Sequence, residues 1–292
     1  MKKVLYFLIF LLIPFMSDAQ RWKHERIAIY GGVGTNFFLG DLGGGAKDAA
    51  HYFSLRDIDW AYTRPVIQGG IRYRIIRDLS VKPYISYARV KADDAESQSI
   101  GRQSRNLHFR TNIWEAGTQF EYYFIKEKNL GRYTFSSYKG INKLSAYVAL
   151  GGGVFYYNPK SELVRGDGNW VKLRPLQNEN VAYGYVAGYF SVGLGMKYDL
   201  TERWSLGIDF SNRYTTTDYL DDASDIYTAK GTGFDDKHLV LDYDQGIVTD
   251  IYATPYPAGT ERRGDPAYKD SYFFTVITGY YKINSVFSMP KY

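Results

Sequence analysis

The sequence predicts an all-β protein, an eight-stranded antiparallel transmembrane β-barrel with long extracellular loops, and three observations lead there. After the leader, eight stretches alternate apolar and polar residues, as in Phe190, Val192, Leu194, Met196, Tyr198 and Leu200 against Tyr189, Ser191, Gly193, Gly195, Lys197 and Asp199. No later apolar run is long enough for a membrane helix, and a mean hydropathy of -0.35 suits strands in which every second residue faces a polar interior. Aromatic residues make up 17% of the chain, enough to furnish girdles at two membrane interfaces. Within a bilayer only helices and closed barrels satisfy every backbone hydrogen bond, so long alternating strands imply closure.

Residues 1–19 read as a secretory signal peptide, and 20–292 as one outer-membrane barrel domain. Lys2 and Lys3 form a basic start, residues 4–16 an apolar stretch, and Ser17, Asp18 and Ala19 a small-residue cleavage site. The apolar stretch is short for a membrane span. No fixed-period repeat or shift in composition marks a second domain.

The predicted strands cover residues 27–39, 66–76, 81–90, 109–125, 144–157, 187–200, 203–216 and 272–283. The first carries Gly31, Gly32 and Gly34 and the fifth Gly151, Gly152 and Gly153, where glycine permits curvature or close packing. In the second, the polar set is Gln68, Arg72 and Arg74; in the fourth, Glu115, Gln119 and Glu121. Opposite those lie uncharged sets, Trp114, Ala116, Phe120, Tyr122 and Phe124 in the fourth and Ala146, Val148, Leu150 and Val154 in the fifth, which lipid accepts. In the seventh, Trp204, Leu206, Ile208 and Phe210 alternate with Ser205, Gly207 and Asp209. Both signs of charge enter a narrow lumen, where desolvation demands partners, so Arg72 and Arg74 are expected to form a network with Glu115 or Glu121. An eight-stranded cylinder is just wide enough for side chains to fill, which predicts a plug and no wide aqueous pore.

Links 77–80 and 201–202 are tight, whereas 40–65, 91–108, 158–186 and 217–271 are long. Outer-membrane barrels put short turns in the periplasm, so a periplasmic N-terminus reproduces this alternation for all links but one. The exception is 126–143, a basic and aromatic segment with Lys126, Lys128, Arg132, Tyr133, Tyr138, Lys139 and Lys143. It is either a solvated loop or a docking surface for a periplasmic partner. The final link, rich in Asp, Gly, Tyr and Pro, is expected to carry some ordered structure, because structureless loops of that length are uncommon.

Zero cysteines excludes a disulfide framework, thiolate metal sites and a lipid-bearing Cys. A net charge of +5, part of it in the leader, is a mild excess and no nucleic-acid footprint. The strand glycines lack the following helix that a phosphate-binding loop requires. Asp218, Asp221, Asp222 and Asp225 lack the spacing of a calcium loop, and no histidine pair supports a transition metal. His24, His51, His108 and His238 fall at or outside strand ends with no assignable partner, so no enzyme is expected; His108, beside an outer strand end, is the one worth testing in a hydrolase. No cofactor is expected.

Three segments look familiar residue by residue: 105–115, from Arg105-Asn106-Leu107-His108 to Trp114-Glu115; 153–160, Gly153-Val154-Phe155-Tyr156-Tyr157-Asn158-Pro159-Lys160; and Thr217-Asp218-Tyr219-Leu220-Asp221-Asp222-Ala223-Ser224 following Arg203-Trp204-Ser205-Leu206-Gly207. With Phe38-Leu39-Gly40-Asp41-Leu42 near the start, the chain resembles the PorG-like outer-membrane proteins of Bacteroidetes. That resemblance implies a small integral barrel of the type IX secretion system, which exports proteins bearing a C-terminal sorting domain and supports gliding motility in some species. It also implies association with a periplasmic ring of the PorK lipoprotein and PorN, with no catalytic residues to carry over. A generic structural or adhesive barrel acting through its outer loops is the alternative.

Overall fold

A computed structural model describes residues 26–40, 42, 63–96, 107–125, 143–162, 166, 168–177, 179, 181–201, 203–224, 263–266 and 269–283. The leader and most of the 126–143 link lie outside the described residues. Ten strands are present: β1 Ile27–Leu39, β2 Arg64–Ile76, β3 Leu79–Asp93, β4 His108–Ile125, β5 Leu144–Tyr156, β6 Lys160–Glu162, β7 Trp170–Lys172, β8 Val186–Asp199, β9 Trp204–Thr215 and β10 Ser271–Ile283. Among the described residues there is no α-helix, only two short 3-10 turns.

Eight of these strands close on themselves. The sheet runs β3-β2-β1-β10-β9-β8-β5-β4, and β3 also pairs with β4, so each long strand has a neighbour on both sides and no edge is left bare. All pairings in the cylinder are antiparallel and join each long strand to the next long strand of the chain, β5 pairing with β8 past the short β6 and β7, and β1 pairing with β10 to close the ring. The strands predicted from alternation agree with these eight to within two residues at each end, save 81–90, which extends to Asp93. The short β6–β7 hairpin, unforeseen in the 158–186 link, hangs from β4 through the Arg110 and Lys160 pair.

Register fixes the shape. Crossing from Tyr30 to Gly70, Tyr84, Gly117, Gly153, Tyr189 and Thr215 leads to Asp270, which lies beside Gly40. One circuit thus returns to β1 ten residues from its start, 40 against 30. With ordinary strand spacing and rise, that stagger tilts the strands by roughly 40° and gives a backbone radius of roughly 8 Å. Each residue then advances about 2.5 Å along the axis.

The outer wall is apolar. Ile29, Val33, Ile67, Ile71, Ile85, Leu150, Val154, Leu194 and Ile277 are each at least half exposed, an apolar surface no water-soluble protein keeps bare. Aromatic side chains bound this belt on both sides. Toward the short links stand Tyr73, Tyr122, Phe124, Tyr198, Trp204 and Tyr281; toward the long links stand Tyr87, Trp114, Tyr156, Phe190, Tyr214 and Phe273. Trp114 and Tyr122 lie eight residues apart on β4. At the tilt above, their separation is about 20 Å, close to the apolar height of an outer-membrane barrel. The protein is a transmembrane barrel whose lipid-facing wall alternates with a side-chain-filled interior.

Candidate functional site

The interior divides into three levels. Nearest the short links, Lys82 on β3 places its Nζ 3.1 Å from Asp209 Oδ2 on β9 and 3.5 Å from Glu121 Oε1 on β4. Arg72 on β2 completes the chain, with Nε 2.9 Å from Glu121 Oε2. Phenols surround it: Tyr123 donates to Glu121 at 2.6 Å, Tyr147 donates to Asp209, and the Lys82 ammonium lies 4.6 Å from the Tyr30 ring centroid. Thr278 Oγ1 gives Asp209 another hydrogen bond at 2.9 Å. At the rim of this level Lys282 and Lys197 approach Asp199 at 3.2 and 3.7 Å.

The middle level centres on Glu115. Arg213 Nε lies 2.9 Å from its Oε1, Tyr272 donates to the same oxygen at 3.0 Å, and Ser86 donates to Oε2. The guanidinium also donates to Ser211 Oγ at 2.7 Å and rests 3.8 Å from the Phe274 ring centroid. Glu115 and Arg213 are both 1% exposed. Each carboxylate therefore faces a cation plus neutral donors, the condition under which a buried ion pair is tolerated. Above it, Val90, Phe109, Ile113, Phe155, Leu220 and Ala223 form an apolar stopper toward the long links.

Parts of those links seal the barrel from above. Leu220 N–H donates to Asp270 Oδ2 at 2.9 Å, and Arg263 joins Glu179 and Asp222, each at 3.1 Å. Tyr157, Tyr183 and Tyr219 stack nearly parallel across three segments. Burial, with the Asp222 carboxylate adding to it, raises the pKa of the Tyr183 phenol, which keeps its proton and donates to that carboxylate. Asp218 accepts from Ser224 Oγ at 2.6 Å and Asp221 from the Ala223 N–H at 3.0 Å, so this acidic string holds its own loop. The final link thus carries ordered structure in its described parts, 217–224, 263–266 and 269–270.

Two of the residues singled out from sequence, Arg72 and Glu121, stand in one ion pair, as above. Glu115 takes Arg213 as its cation instead, because β4 places it three pleats above Glu121 and across the lumen from β9. Arg74 is half-buried beside the β2–β3 turn, where its backbone N–H donates to Arg26 O at 2.8 Å. Lys126, Lys128, Arg132, Tyr133, Tyr138 and Lys139 lie outside the described residues. Lys143 is exposed at the start of β5, its ammonium 6.0 Å from the Tyr198 ring centroid. Lys82 and Arg213 were not among the residues expected in the network. Parity could have found them: Ser205, Gly207, Asp209, Ser211 and Arg213 share one face of β9, as Ser80, Lys82, Tyr84 and Ser86 share one face of β3.

His108 is buried at the start of β4, with Nε2 3.4 Å from Ser161 Oγ and 4.0 Å from Glu162 Oε2. Both neighbours address the same ring nitrogen. A nucleophile, base and orienting acid need the two nitrogens separately, and Ser161 donates at 2.7 Å to the His108 carbonyl instead. The cluster pins the β6–β7 hairpin to the wall. Among the described residues no group of His, Asp or Glu is arranged to hold a metal ion.

What the interior can do chemically follows from its filling. Three tiers of packed or paired side chains span the lumen, and an ion crossing it would have to break at least one buried pair. Purified protein in a planar bilayer is expected to give no steady conducting step, and a persistent open level would contradict the plug.

Among solved structures, the chain is similar to Neisserial surface protein A at 11% identity, covering 88% of this chain and 97% of that one with a TM-score of 0.38. It is likewise similar to the attachment invasion locus protein Ail of Yersinia pestis (11% identity, 89% and 99% covered, TM-score 0.35) and to OprG of Pseudomonas aeruginosa (10%, 88% and 96%, TM-score 0.35). No curated protein matches the sequence. One family does, over residues 2–230, which is most of the chain: the protein belongs to the family described as Domain of unknown function (DUF6089).

Proposed function

We propose that this barrel is an integral, non-enzymatic component of the type IX protein secretion apparatus, with its N-terminus and short links in the periplasm, where it anchors the ring of the PorK lipoprotein and PorN. The residue-level resemblance to PorG-like proteins motivates the name of the apparatus. The observation that carries the mechanism is the filled lumen: a cylinder closed by the Arg72–Glu121–Lys82–Asp209 chain and the Arg213–Glu115 pair offers no conduit, so its work falls to its two ends. At the end of the short links, 77–78 and 200–203 merely reverse the chain, while 126–143 is far longer than a strand reversal needs and is rich in Lys, Arg and Tyr. Basic side chains interleaved with tyrosine suit an acidic protein surface.

Replacing Lys126, Lys128, Arg132 and Lys139 together with Ala is expected to reduce recovery of PorK and PorN with the tagged barrel by about tenfold or more, with membrane insertion intact. Secretion of proteins bearing the sorting domain should fall in parallel. Unchanged recovery from a correctly inserted variant would refute the docking role. The ordered cap at the opposite end favours a second reading, an adhesive barrel. In that case trimming within 217–271 abolishes surface attachment, while the four-alanine variant leaves secretion untouched.

A further inference from the structure

Just beyond the aromatic girdle on the side of the long links, one sector of the outer wall is strongly basic. In register, Lys91 on β3 stands opposite Arg110 on β4, Arg110 opposite Lys160 on β6, and Lys160 opposite Lys172 on β7. Arg89 lies one pleat lower on β3 and is exposed. All five share the outward parity of Tyr87 and Trp114, the paired girdle rings at 4.8 Å. Like charges directly opposite one another oppose strand pairing, and here three such pairs follow in a line. Near this height the continuation of β10 adds one exposed cation, Lys269, four residues above Phe273, whose ammonium donates to Thr216 O at 3.0 Å.

Height assigns the partner. Arg110 lies four residues above Trp114 on the same strand, about 10 Å along the axis, and Arg89 two above Tyr87, about 5 Å. That band is where lipid headgroups meet the wall, immediately outside the hydrocarbon core. The Arg110 guanidinium is held flat, 3.7 Å from the Trp170 ring centroid. Glu162, an acid on the same hairpin face, attracts the Arg110 charge while accepting from the Gly166 N–H at 2.8 Å and approaching His108 Nε2 at 4.0 Å, so it offsets one of the five positive charges. We infer that the Arg89, Lys91, Arg110, Lys160 and Lys172 row binds the phosphate groups of membrane lipid in the leaflet facing the long links. Bidentate guanidinium contacts and the line of ammonium groups match a headgroup carrying more than one phosphate, and an anion lying across the row relieves its self-repulsion.

The full chain, reconstituted into phosphatidylcholine nanodiscs doped with diphosphoryl lipid A, tests this by native mass spectrometry of retained lipid. Wild type is expected to keep the phosphorylated lipid and to lose it when the dephosphorylated form is supplied. The variant R89Q/R110Q/K160Q/K172Q should retain roughly tenfold less or lower still, and R89K/R110K should retain most. Folding is followed by the heat-dependent shift in gel mobility. K160Q/K172Q, on a hairpin outside the closed cylinder, gives a second reading independent of closure and should reduce retention several-fold. Equal retention by the glutamine variants overturns the assignment. So does binding of a soluble heparin fragment, to protein in neutral detergent, as tight as that of the lipid, which would make the row a polysaccharide site.

Discussion

Arg213→Met is expected to destabilise the barrel by about 3–5 kcal/mol, because it strands the Glu115 carboxylate in the middle of the lumen. Glu115 is 1% exposed and keeps only the Tyr272 and Ser86 hydroxyls once the guanidinium is gone. Two neutral donors do not replace a charge-assisted bond at 2.9 Å. Methionine fills much of the vacated volume, so the loss reports the orphaned charge more than a cavity. The companion double variant Arg213→Met with Glu115→Leu removes both charges and is expected to recover all but about 1–2 kcal/mol of it. Urea unfolding in lipid vesicles, followed by tryptophan emission, measures both. If the single and double variants unfold alike, the pair does not organise the lumen.

Gly34→Ala is expected to cost about 3 kcal/mol or more and to leave much of the chain unable to close. A Cβ at Gly34 would fall 1.9 Å from the Thr275 carbonyl oxygen and 2.7 Å from Val276 Cα. Both are backbone atoms of β10, the strand that pairs with β1, so no side-chain rotation relieves the clash. Three residues earlier the same substitution meets open space: a methyl group added at Gly31 would have nothing within 4 Å, and Gly31→Ala should fold as wild type does. The heat-modified gel band, quantified after refolding into detergent, compares the two. Equal yields would mean that the approach of β1 to β10 is looser than these distances.

Most of the barrel was legible in the chain because one physical rule governs all of it. A wall one residue thick, with lipid outside and packed side chains inside, imposes a period of two on every strand, and the 190–200 segment shows that period without interruption. The β6–β7 hairpin was not legible: three-residue strands stabilised by a cross-strand row and the Ser161–His108 contact leave no periodic trace. Inside the lumen, parity told which residues point inward, yet pairing across it depends on stagger. Arg72 and Arg213 are both inward arginines, and only the ten-residue offset around the cylinder brings Glu121 to one and Glu115 to the other. Alternation along a strand carries no information about that offset. The basic row was hidden for the same reason, since its members sit on four strands and become a line only in register.

The thirteen rungs between Ile27–Leu39 and Ser271–Ile283 knit the first strand of the cylinder to the last, across more than two hundred intervening residues. A nascent chain therefore holds a curled ribbon with two raw flanks until its final segment arrives, and nothing earlier in the polypeptide can stand in for that latch. Contacts this remote in sequence form slowly. Closure of the cylinder thus waits on the 271–283 segment.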